Sequence, residues 1–282
     1  MDAEEMLTVQ WRSIRSAIDE AIERTLRRLP EAEAVEAARY IAMGGKRLRG
    51  FILLELAQAL GAKLEDAIDA AVAVELVHAA SLALDDIIDE DLTRRGNEAA
   101  WIRYGLKKTV MVSNLLIPFA QSIVYKRYGK LALERTVEAW LNISRGEVID
   151  AFVPLEKLAP SSYLEMVRLK TGALFKLSAE LGVLAAGRSD LLEKAGKLGE
   201  KLGIMYQIAD DIRDSSDPDK LKKEPSLRLF KMWAPTLDQA YRKIRELLEE
   251  TMKLTRELVS AGHTVLELIP GFVIKAMLGR LP

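Results

Sequence analysis

No proline occurs between Pro30 and Pro118, and Ala, Leu, Glu, Lys and Arg dominate that stretch. These residues favour helices, and a chain without proline can continue a helix over many turns. Apolar residues recur at helical spacing in residues 4–29, 31–43, 48–60, 67–89 and 238–260. Turns are predicted at Gly44, Gly45, Gly61 and residues 154–160. The pattern predicts an all-α fold, a helical bundle that forms one domain over residues 1–282.

The composition excludes several classes of function. The 41 basic and 42 acidic residues leave a net charge of -1, which gives no general attraction to nucleic acid or to an anionic membrane. Cysteine is absent, so disulfides, thiolate nucleophiles and cysteine-ligated metals are excluded. The N-terminal sequence MDAEEMLTVQW does not resemble a secretory signal, and no uninterrupted apolar run is long enough to span a membrane. We therefore expect a cytoplasmic protein without a membrane span or a nucleic-acid partner.

Two predicted helices differ from the others because they are apolar on most sides. Their sequences, AAVAVELVHAASLAL and AGKLGEKLGIMYQIA, are typical of helices buried at the centre of a bundle. Each helix ends in an acidic cluster, and in each cluster the outer aspartates are four residues apart and share one helical face. The first triplet is Asp85, Asp86 and Asp89, and the second triplet is Asp210, Asp211 and Asp214.

An acidic triplet often marks no more than a solvated helix end. Here both triplets lie at the C-terminal ends of predicted buried helices, where the helix dipole disfavours anions and neighbouring carboxylates repel one another. Bound cations would offset that cost. Carboxylates without histidine or thiolate partners suit Mg²⁺, which commonly bridges to substrate phosphates. Two facing triplets would stabilise a departing diphosphate, and the sequence therefore suggests carbocation chemistry.

Four motifs together resemble the trans-isoprenyl diphosphate synthases, a family that includes farnesyl and geranylgeranyl diphosphate synthases. The motifs are GGKRLRG at 44–50, HAASLALDDIIDEDLTRRG at 78–96, KTG at 170–172 and YQIADDIRD at 206–214. The resemblance extends from about Ala38 to Lys231 and implies the isoprenoid synthase bundle with a central active-site cavity. It also implies condensation of isopentenyl diphosphate with a dimethylallyl, geranyl or farnesyl diphosphate to a linear polyprenyl diphosphate. About three Mg²⁺ ions per site and a homodimer are further implied.

The resemblance assigns five basic residues to the two diphosphates. Lys46 and Arg49 follow a Gly-Gly turn on one face near a helix N-terminus, which favours anions. In the family these positions, together with those of His78 and Arg95, hold the diphosphate of isopentenyl diphosphate, whereas Arg94 serves the allylic diphosphate. By local sequence alone, a solvated basic patch and a buried core histidine remain alternatives.

Five further residues match family positions later in the chain. Lys170 is similar to a lysine that contacts the allylic diphosphate. Thr171 and Gln207 match positions whose oxygens face the developing allylic cation, although packing or helix capping would explain either residue alone. Lys223 and Lys231 fill two lysine positions that follow the second triplet.

This chain departs from the family pattern at four positions. Ser226 and Phe230 stand where an aspartate and a glycine are expected, so the closing segment is altered. Asn114 replaces an aspartate, and Gly50 replaces a proline. No triplet carboxylate is replaced, and activity is therefore still expected. The lysine-rich residues 215–225 predict a mobile connection or a loop that becomes ordered on binding.

Side chains one turn before Asp85 should limit product length, because in this fold the growing tail extends down the first central helix. Ala80 and Ser81 are small where relatives with short products carry bulky aromatics. One helical turn rises about 5.4 Å, comparable to one isoprene unit. We therefore expect geranylgeranyl diphosphate or a longer product. Side chains farther from Asp85 could also stop the growing tail, and the candidates are Val77, Val74, Leu116 and Phe119.

Two other functions remain as alternatives. A non-catalytic regulatory subunit of a heteromeric synthase typically lacks carboxylates from one triplet, and both triplets are complete here. A class I terpene cyclase also ionises diphosphates on a helical bundle, but it would not need a second diphosphate site. The predicted second diphosphate site therefore favours condensation, and its residues are Lys46, Arg49, His78 and Arg95.

Overall fold

The structure is a computed structural model that describes residues 3–259 and 264–279, and these residues are almost entirely helical. The helices are α1 Ala3–Leu26, α2 Val35–Ala42, α3 Leu48–Ala59, α4 Leu64–Ile88, α5 Ala100–Tyr104, α6 Leu106–Phe152, α7 Ser162–Val167, α8 Ala173–Ala185, α9 Leu192–Asp214, α10 Pro218–Lys223, α11 Pro225–Trp233, α12 Leu237–Leu258 and α13 Thr264–Leu278. Helix α6 kinks at Gly129, which has a positive φ of 80°. The all-α prediction is confirmed, and the predicted helices at 4–29, 31–43, 48–60, 67–89 and 238–260 correspond to α1–α4 and α12. Ser260, at the end of the last, lies outside the described residues.

Shorter segments complete the secondary structure of the described residues. Strands β1 Thr93–Arg94 and β2 Asn97–Glu98 form an antiparallel hairpin. Short 3₁₀ turns occur at Ala32–Ala34, Leu155–Lys157 and Ser189–Leu191, and a π-helical turn occurs at Arg168–Gly172. The chain forms two compact units, of which unit 1 is Met1–Thr136 with Leu184–Gly187 and unit 2 is Val137–Val183 with Arg188–Pro282.

In unit 1, α4 is the core helix, because it packs against α1, α2, α3 and α5. Its residues from Ala70 to Val77 are at most 3% exposed. Among the described residues, α4 is the one helix whose length and hydropathy would allow a membrane span. The sequence did not predict this candidate, because its apolar run is interrupted by charged residues. However, 67% of its most apolar window is buried inside the protein, as in the core helix of a bundle.

A buried ion pair supports the loop between α2 and α3. Arg47 adopts a left-handed conformation, and its Nε donates to Asp19 at 2.7 Å. Its guanidinium also lies 3.6 Å from Glu75 of α4. Glu75 in turn accepts a hydrogen bond of 2.8 Å from the backbone N–H of Gly50 in the first turn of α3. Proline would lack that donor, and a Cβ at this position would lie 2.8 Å from Ile18 Cδ1, so both features favour glycine where the family pattern has proline.

Glu55 gives unit 1 a pH-dependent stability. Burial raises the pKa of this carboxyl from 4.5 to about 7, although a 2.6 Å hydrogen bond from Gln10 partly offsets the shift. Because the folded state binds the proton more tightly, stability is lost as pH rises from about 4.5 to about 7. We expect Glu55→Gln to stabilise the protein by about 1–3 kcal/mol at pH 8 and by much less at pH 5. Denaturant unfolding at both pH values measures this, and an unchanged pH profile in the variant would contradict it.

In unit 2, α9 is the central helix and packs against α12, α13 and the π-helical turn. Glycines on α9 allow unusually close backbone contacts. A Cβ added at Gly199 would lie 2.3 Å from the carbonyl oxygen of Phe175, and one added at Gly203 would lie 2.8 Å from the Cα of Gly172. These glycines therefore set the distance from α9 to α8 and to the KTG motif.

The prediction of a loop at residues 215–225 is wrong for most of that segment, which forms α10 and the start of α11. Asp217 caps α10 by accepting from the backbone N–H groups of Asp219 and Lys220 at 2.9 and 3.3 Å. Pro218 and Pro225 occupy the first positions of the two helices, where proline is favourable. The prolines mark helix starts here.

Candidate active site

The first triplet lies at the end of α4 in unit 1, as predicted. Asp85 and Asp86 belong to the last turn, and Asp89 is the C-terminal cap, with its backbone N–H donating to the carbonyl of Asp85 at 2.8 Å. Asp89 is exposed and Asp85 is half-buried, whereas Asp86 is 2% exposed. The outer carboxylates are thus accessible to a ligand, and the middle one is enclosed by protein.

Arg94 lies against Asp86. The hairpin turn at Arg95 and Gly96, both with positive φ, directs the chain back, and Arg94 Nε donates to Asp86 Oδ1 at 2.6 Å. A second hydrogen bond of 3.3 Å reaches Asp91. Burial raises the pKa of Asp86, and the Arg94 hydrogen bond offsets part of that increase. The arginine that the resemblance assigns to the allylic diphosphate is therefore paired with a triplet carboxylate in this structure.

The structure brings together most of the basic residues predicted to bind the isopentenyl diphosphate. Arg49 Nη1 donates to His78 Nε2 at 3.0 Å. Burial lowers the pKa of His78, and Arg49 and Arg95 lower it further, so the imidazole is neutral. Lys46 is exposed in the loop between α2 and α3, two residues before α3 begins.

The Gly-Gly turn before Lys46 makes room for Arg95. Arg95 donates to the carbonyl of Met43 at 2.6 Å. A Cβ added at Gly45 would lie 2.9 Å from the Arg95 guanidinium carbon, and the φ of 92° at this glycine disfavours other residues. The motif GGKRLRG therefore supplies Lys46 and Arg49 and also the space in which Arg95 lies.

The second triplet occupies the last turn of α9 in unit 2, again as predicted. Asp211 is 7% exposed, and it accepts hydrogen bonds from Tyr163 at 2.5 Å and from Gln207 at 3.0 Å. Burial raises the pKa of Asp211 to about 7. Its two carboxylate oxygens each have a protein donor.

The outer aspartates of the second triplet pair with cations. Arg213 contacts both Asp210 and Asp214, and Lys220 of α10 also contacts Asp214. Burial raises the pKa of Asp214, but the hydrogen bonds from Arg213 and Lys220 lower it further, so this pKa lies below its usual value. Sequence reasoning singled out Lys223, which is exposed in α10, and Lys231, which is half-buried in α11. It did not identify Lys220 as a partner of the triplet.

The KTG motif lies in the π-helical turn of unit 2. Lys170 Nζ is 2.8 Å from Glu147 and 2.7 Å from Asp150, both on α6. Burial alone would lower the pKa of Lys170, but the two carboxylates raise it above its usual value. Thr171 Oγ1 donates to Gln207 Oε1 at 2.8 Å, as expected for residues predicted to act together. The spacing of three between Glu147 and Asp150 puts them on one helical face, and it is the sequence signal that could have predicted this pair.

The three predicted chain-length residues differ in their surroundings. Val77 and Ala80 are at most 3% exposed, whereas Ser81 is half-buried. Ser81 is four residues before Asp85 and therefore shares its helical face. Its hydroxyl donates to the carbonyl of His78 at 2.9 Å. Of the three, Ser81 is the position that is partly exposed, and therefore the one at which a larger side chain is least restricted by packing.

The chemistry of the donor set fits Mg²⁺. Among the residues that the structure describes, no three histidine or carboxylate side chains surround one point as in a site made wholly of protein ligands. Mg²⁺ does not need such a site, because it commonly binds through one or two carboxylates, keeps several waters and completes its shell with substrate phosphates. Half-buried or exposed carboxylates at Asp85, Asp89, Asp210 and Asp214 meet that requirement.

Comparison with known proteins gives consistent similarities. The family model described as polyprenyl synthetase matches residues 31–257, a range that contains every predicted site residue. The hexaprenyl pyrophosphate synthase of Saccharolobus solfataricus is 39% identical over 204 residues, which cover 72% of this chain and 70% of the relative. The geranylfarnesyl diphosphate synthase of Methanosarcina mazei is 31% identical over 229 residues, which cover 79% of this chain and 75% of the relative. The structure of geranylgeranyl pyrophosphate synthetase from Pyrococcus horikoshii aligns with a TM-score of 0.84 at 26% identity, covering 97% of this chain and 99% of that one.

Proposed function

Because the chain belongs to the polyprenyl synthetase family, we propose that it is a trans-prenyltransferase that condenses isopentenyl diphosphate with an allylic diphosphate into a linear polyprenyl diphosphate. The observation that carries the proposal is the pair of complete aspartate triplets, each at the C-terminal end of a core helix. The relatives named above make geranylfarnesyl and hexaprenyl diphosphates by their names, which supports a product of geranylgeranyl length or longer.

The two kinds of aspartate have different roles in this proposal. The outer carboxylates would hold Mg²⁺, which supplies positive charge against the diphosphate as the allylic carbon–oxygen bond breaks. Asp86 and Asp211 belong to the same predicted set of metal ligands, but in this structure they are buried and accept hydrogen bonds from Arg94 and from Tyr163 and Gln207, respectively. Both triplets would act on the same allylic diphosphate. The number of ions, about three by family resemblance, is part of the proposal.

The remaining site residues bind and orient the substrates. Lys170 and Arg94 would hold the allylic diphosphate, and Lys46, Arg49, His78 and Arg95 would hold isopentenyl diphosphate. Thr171 and Gln207 would place oxygens toward the allylic cation. The isopentenyl double bond attacks that cation to form the new carbon–carbon bond, and the proton then lost passes to the released pyrophosphate. A dedicated protein base is not needed.

A second cation cluster favours condensation over cyclisation. Arg49 donates to the neutral His78, Arg95 is close enough to lower the pKa of His78, and such a cluster suits a second diphosphate. A terpene cyclase would have no use for it. A regulatory subunit is disfavoured because both triplets are complete.

We further propose that the protein is cytoplasmic, forms a homodimer and functions as a single domain. Support for the homodimer comes from the second half of α6, where Val137, Leu141, Val148 and Phe152 are 48–78% exposed. Their spacing of four and seven residues puts them on one helical face. An exposed apolar stripe of this kind is typical of protein–protein contacts.

The experiment that tests the function is a product profile of the purified protein. Dimethylallyl, geranyl and farnesyl diphosphates are each supplied with labelled isopentenyl diphosphate, with and without Mg²⁺. Condensation that requires isopentenyl diphosphate and Mg²⁺ is the expected result. Turnover without isopentenyl diphosphate would indicate a cyclase, and absence of turnover would indicate a regulatory subunit.

Product length should depend on Ser81. We expect Ser81→Phe to shorten the main product by at least one isoprene unit, because the aromatic ring occupies the turn before Asp85. Ala80→Phe should also shorten it, but Ala80 is fully buried, so overpacking should cost about 1–3 kcal/mol of stability. Chromatography of labelled products measures both effects. Ser81→Ala, which adds no bulk, is the control, and farnesyl diphosphate as the wild-type end product would refute the argument.

A further inference from the structure

We propose that Tyr163 is a positioning residue for the second triplet, holding Asp211 in one orientation while the aromatic side chains of α11 hold Tyr163. The inference rests on the proposed function of that triplet. Tyr163 comes from α7, a helix that none of the sequence motifs includes. It connects α11 to the acidic end of α9.

The hydrogen bond to Asp211 is the first observation. Tyr163 is fully buried, and its hydroxyl donates to Asp211 Oδ2 at 2.5 Å. A buried tyrosine hydroxyl usually has a partner, and here the partner is the middle carboxylate of the triplet. Because Gln207 donates to the other oxygen at 3.0 Å, the carboxylate plane of Asp211 is fixed from both sides.

The second observation is the aromatic packing around Tyr163. Its ring stacks on Trp233 with centroids 4.8 Å apart and planes at 27°. Phe230 lies 5.4 Å away at 60°, and it is fully buried. Aromatic pairs at such distances add stability beyond their buried area. Phe230 stands where the family pattern has glycine, so this chain has an additional ring holding Tyr163 in place.

The third observation is the continuation of the hydrogen bonds beyond Asp211. Gln207, which donates to Asp211, accepts from Thr171 in the π-helical turn. Residues from α11 to the KTG motif are therefore joined through Tyr163 and Asp211. If the tyrosine hydroxyl were lost, Asp211 could rotate toward the neighbouring carboxylates and disturb the charges that the outer aspartates present to a cation.

The test uses Tyr163→Phe, which removes the hydroxyl and keeps the ring stack. We expect the Mg²⁺ concentration for half-maximal turnover to rise about tenfold, the size expected for one hydrogen bond to a charged group. The KM for isopentenyl diphosphate should stay within about twofold, because its predicted ligands belong to unit 1. Calorimetric titration of the protein with Mn²⁺ in the presence of inorganic pyrophosphate requires no turnover. It should show a similar loss of affinity for Mn²⁺ in the variant.

The matched control is Tyr128→Phe. Tyr128 lies in unit 1 and donates to the carbonyl of Asp66 at 2.9 Å, so this variant also loses a hydroxyl hydrogen bond. Its thermal stability should fall, whereas its Mg²⁺ dependence should not change. If Tyr163→Phe behaves in the same way, Tyr163 is structural alone and the inference is overturned.

A second variant tests the aromatic packing of α11 around Tyr163. Phe230→Leu should also raise the Mg²⁺ concentration for half-maximal turnover. In the double variant with Tyr163→Phe, the fold-increase in that concentration should be smaller than the product of the two single fold-increases, because both substitutions act through the contact between Tyr163 and Asp211. Independent, fully multiplicative effects would overturn the role of α11. If the wild-type protein binds Mn²⁺ and pyrophosphate but forms no product, the proposed function fails while the Mn²⁺ titrations still decide the role of Tyr163.

Discussion

Replacing Asp210 with asparagine is expected to lower kcat by at least about a thousandfold, as is the equivalent change at Asp85. The side chain keeps its shape but loses the charge that would hold Mg²⁺, and about 1.4 kcal/mol of lost transition-state stabilisation corresponds to each factor of ten. Neither residue is fully buried, so both variants should fold. Steady-state kinetics with saturating substrates and a range of Mg²⁺ concentrations measures the effect.

Asp190→Asn is the control for this pair. Asp190 is an exposed residue of unit 2 that forms an ion pair with Arg188 at 2.8 Å, and its charge should not matter for turnover. Turnover within about threefold of wild type in both triplet variants would contradict the proposed chemistry. A large loss in one variant alone would contradict the proposal that both triplets act on the same diphosphate.

Gly199→Ala should destabilise the protein by about 3 kcal/mol or more. The added Cβ would lie 2.3 Å from the Phe175 carbonyl oxygen and 2.8 Å from the Cα of Lys176, and both are backbone atoms that cannot rotate away. Helices α8 and α9 must separate to accommodate it. The midpoint of denaturant unfolding measures the change, and circular dichroism should show that the variant remains helical.

Gly172→Ala is the matched control, because it lies at the interface between the π-helical turn and α9. There the added Cβ would meet Glu200 and Val167 atoms at 3.5–3.6 Å, an ordinary contact distance. Its stability should stay within about 1 kcal/mol of wild type. Alanine has the higher helix propensity, so equal destabilisation in the two variants would contradict the close approach of α9 to α8 as the cause.

The sequence predicts the helices and the location of both triplets because these depend on local rules. A run of apolar residues followed by aspartates at i and i+4 places Asp85 and Asp210 at buried helix ends without knowledge of the tertiary structure. The pairing of Thr171 with Gln207 could be expected only from the family resemblance, because the two residues are distant in sequence.

Partners that depend on tertiary packing could not be predicted. Tyr163 has no local signal of its contact with Asp211, which depends on how α7 packs against α9. The lysine that reaches Asp214 is Lys220, because α10 begins at Pro218 within a lysine-rich segment that was predicted to be a loop. The αL turn at Arg95 likewise determines which arginine meets Asp86.

The two carboxylates at Lys170 determine how this lysine can meet a ligand. An ammonium group has three N–H donors, and Glu147 and Asp150 accept from two directions at 2.8 and 2.7 Å. The tetrahedral nitrogen then leaves one remaining direction for a phosphate oxygen. The flexible stem of the lysine is tethered at its tip, so the proposed allylic diphosphate would have to align with an N–H whose direction is already fixed. Arginine, whose planar guanidinium presents its donors as a fork, would not offer the same single direction.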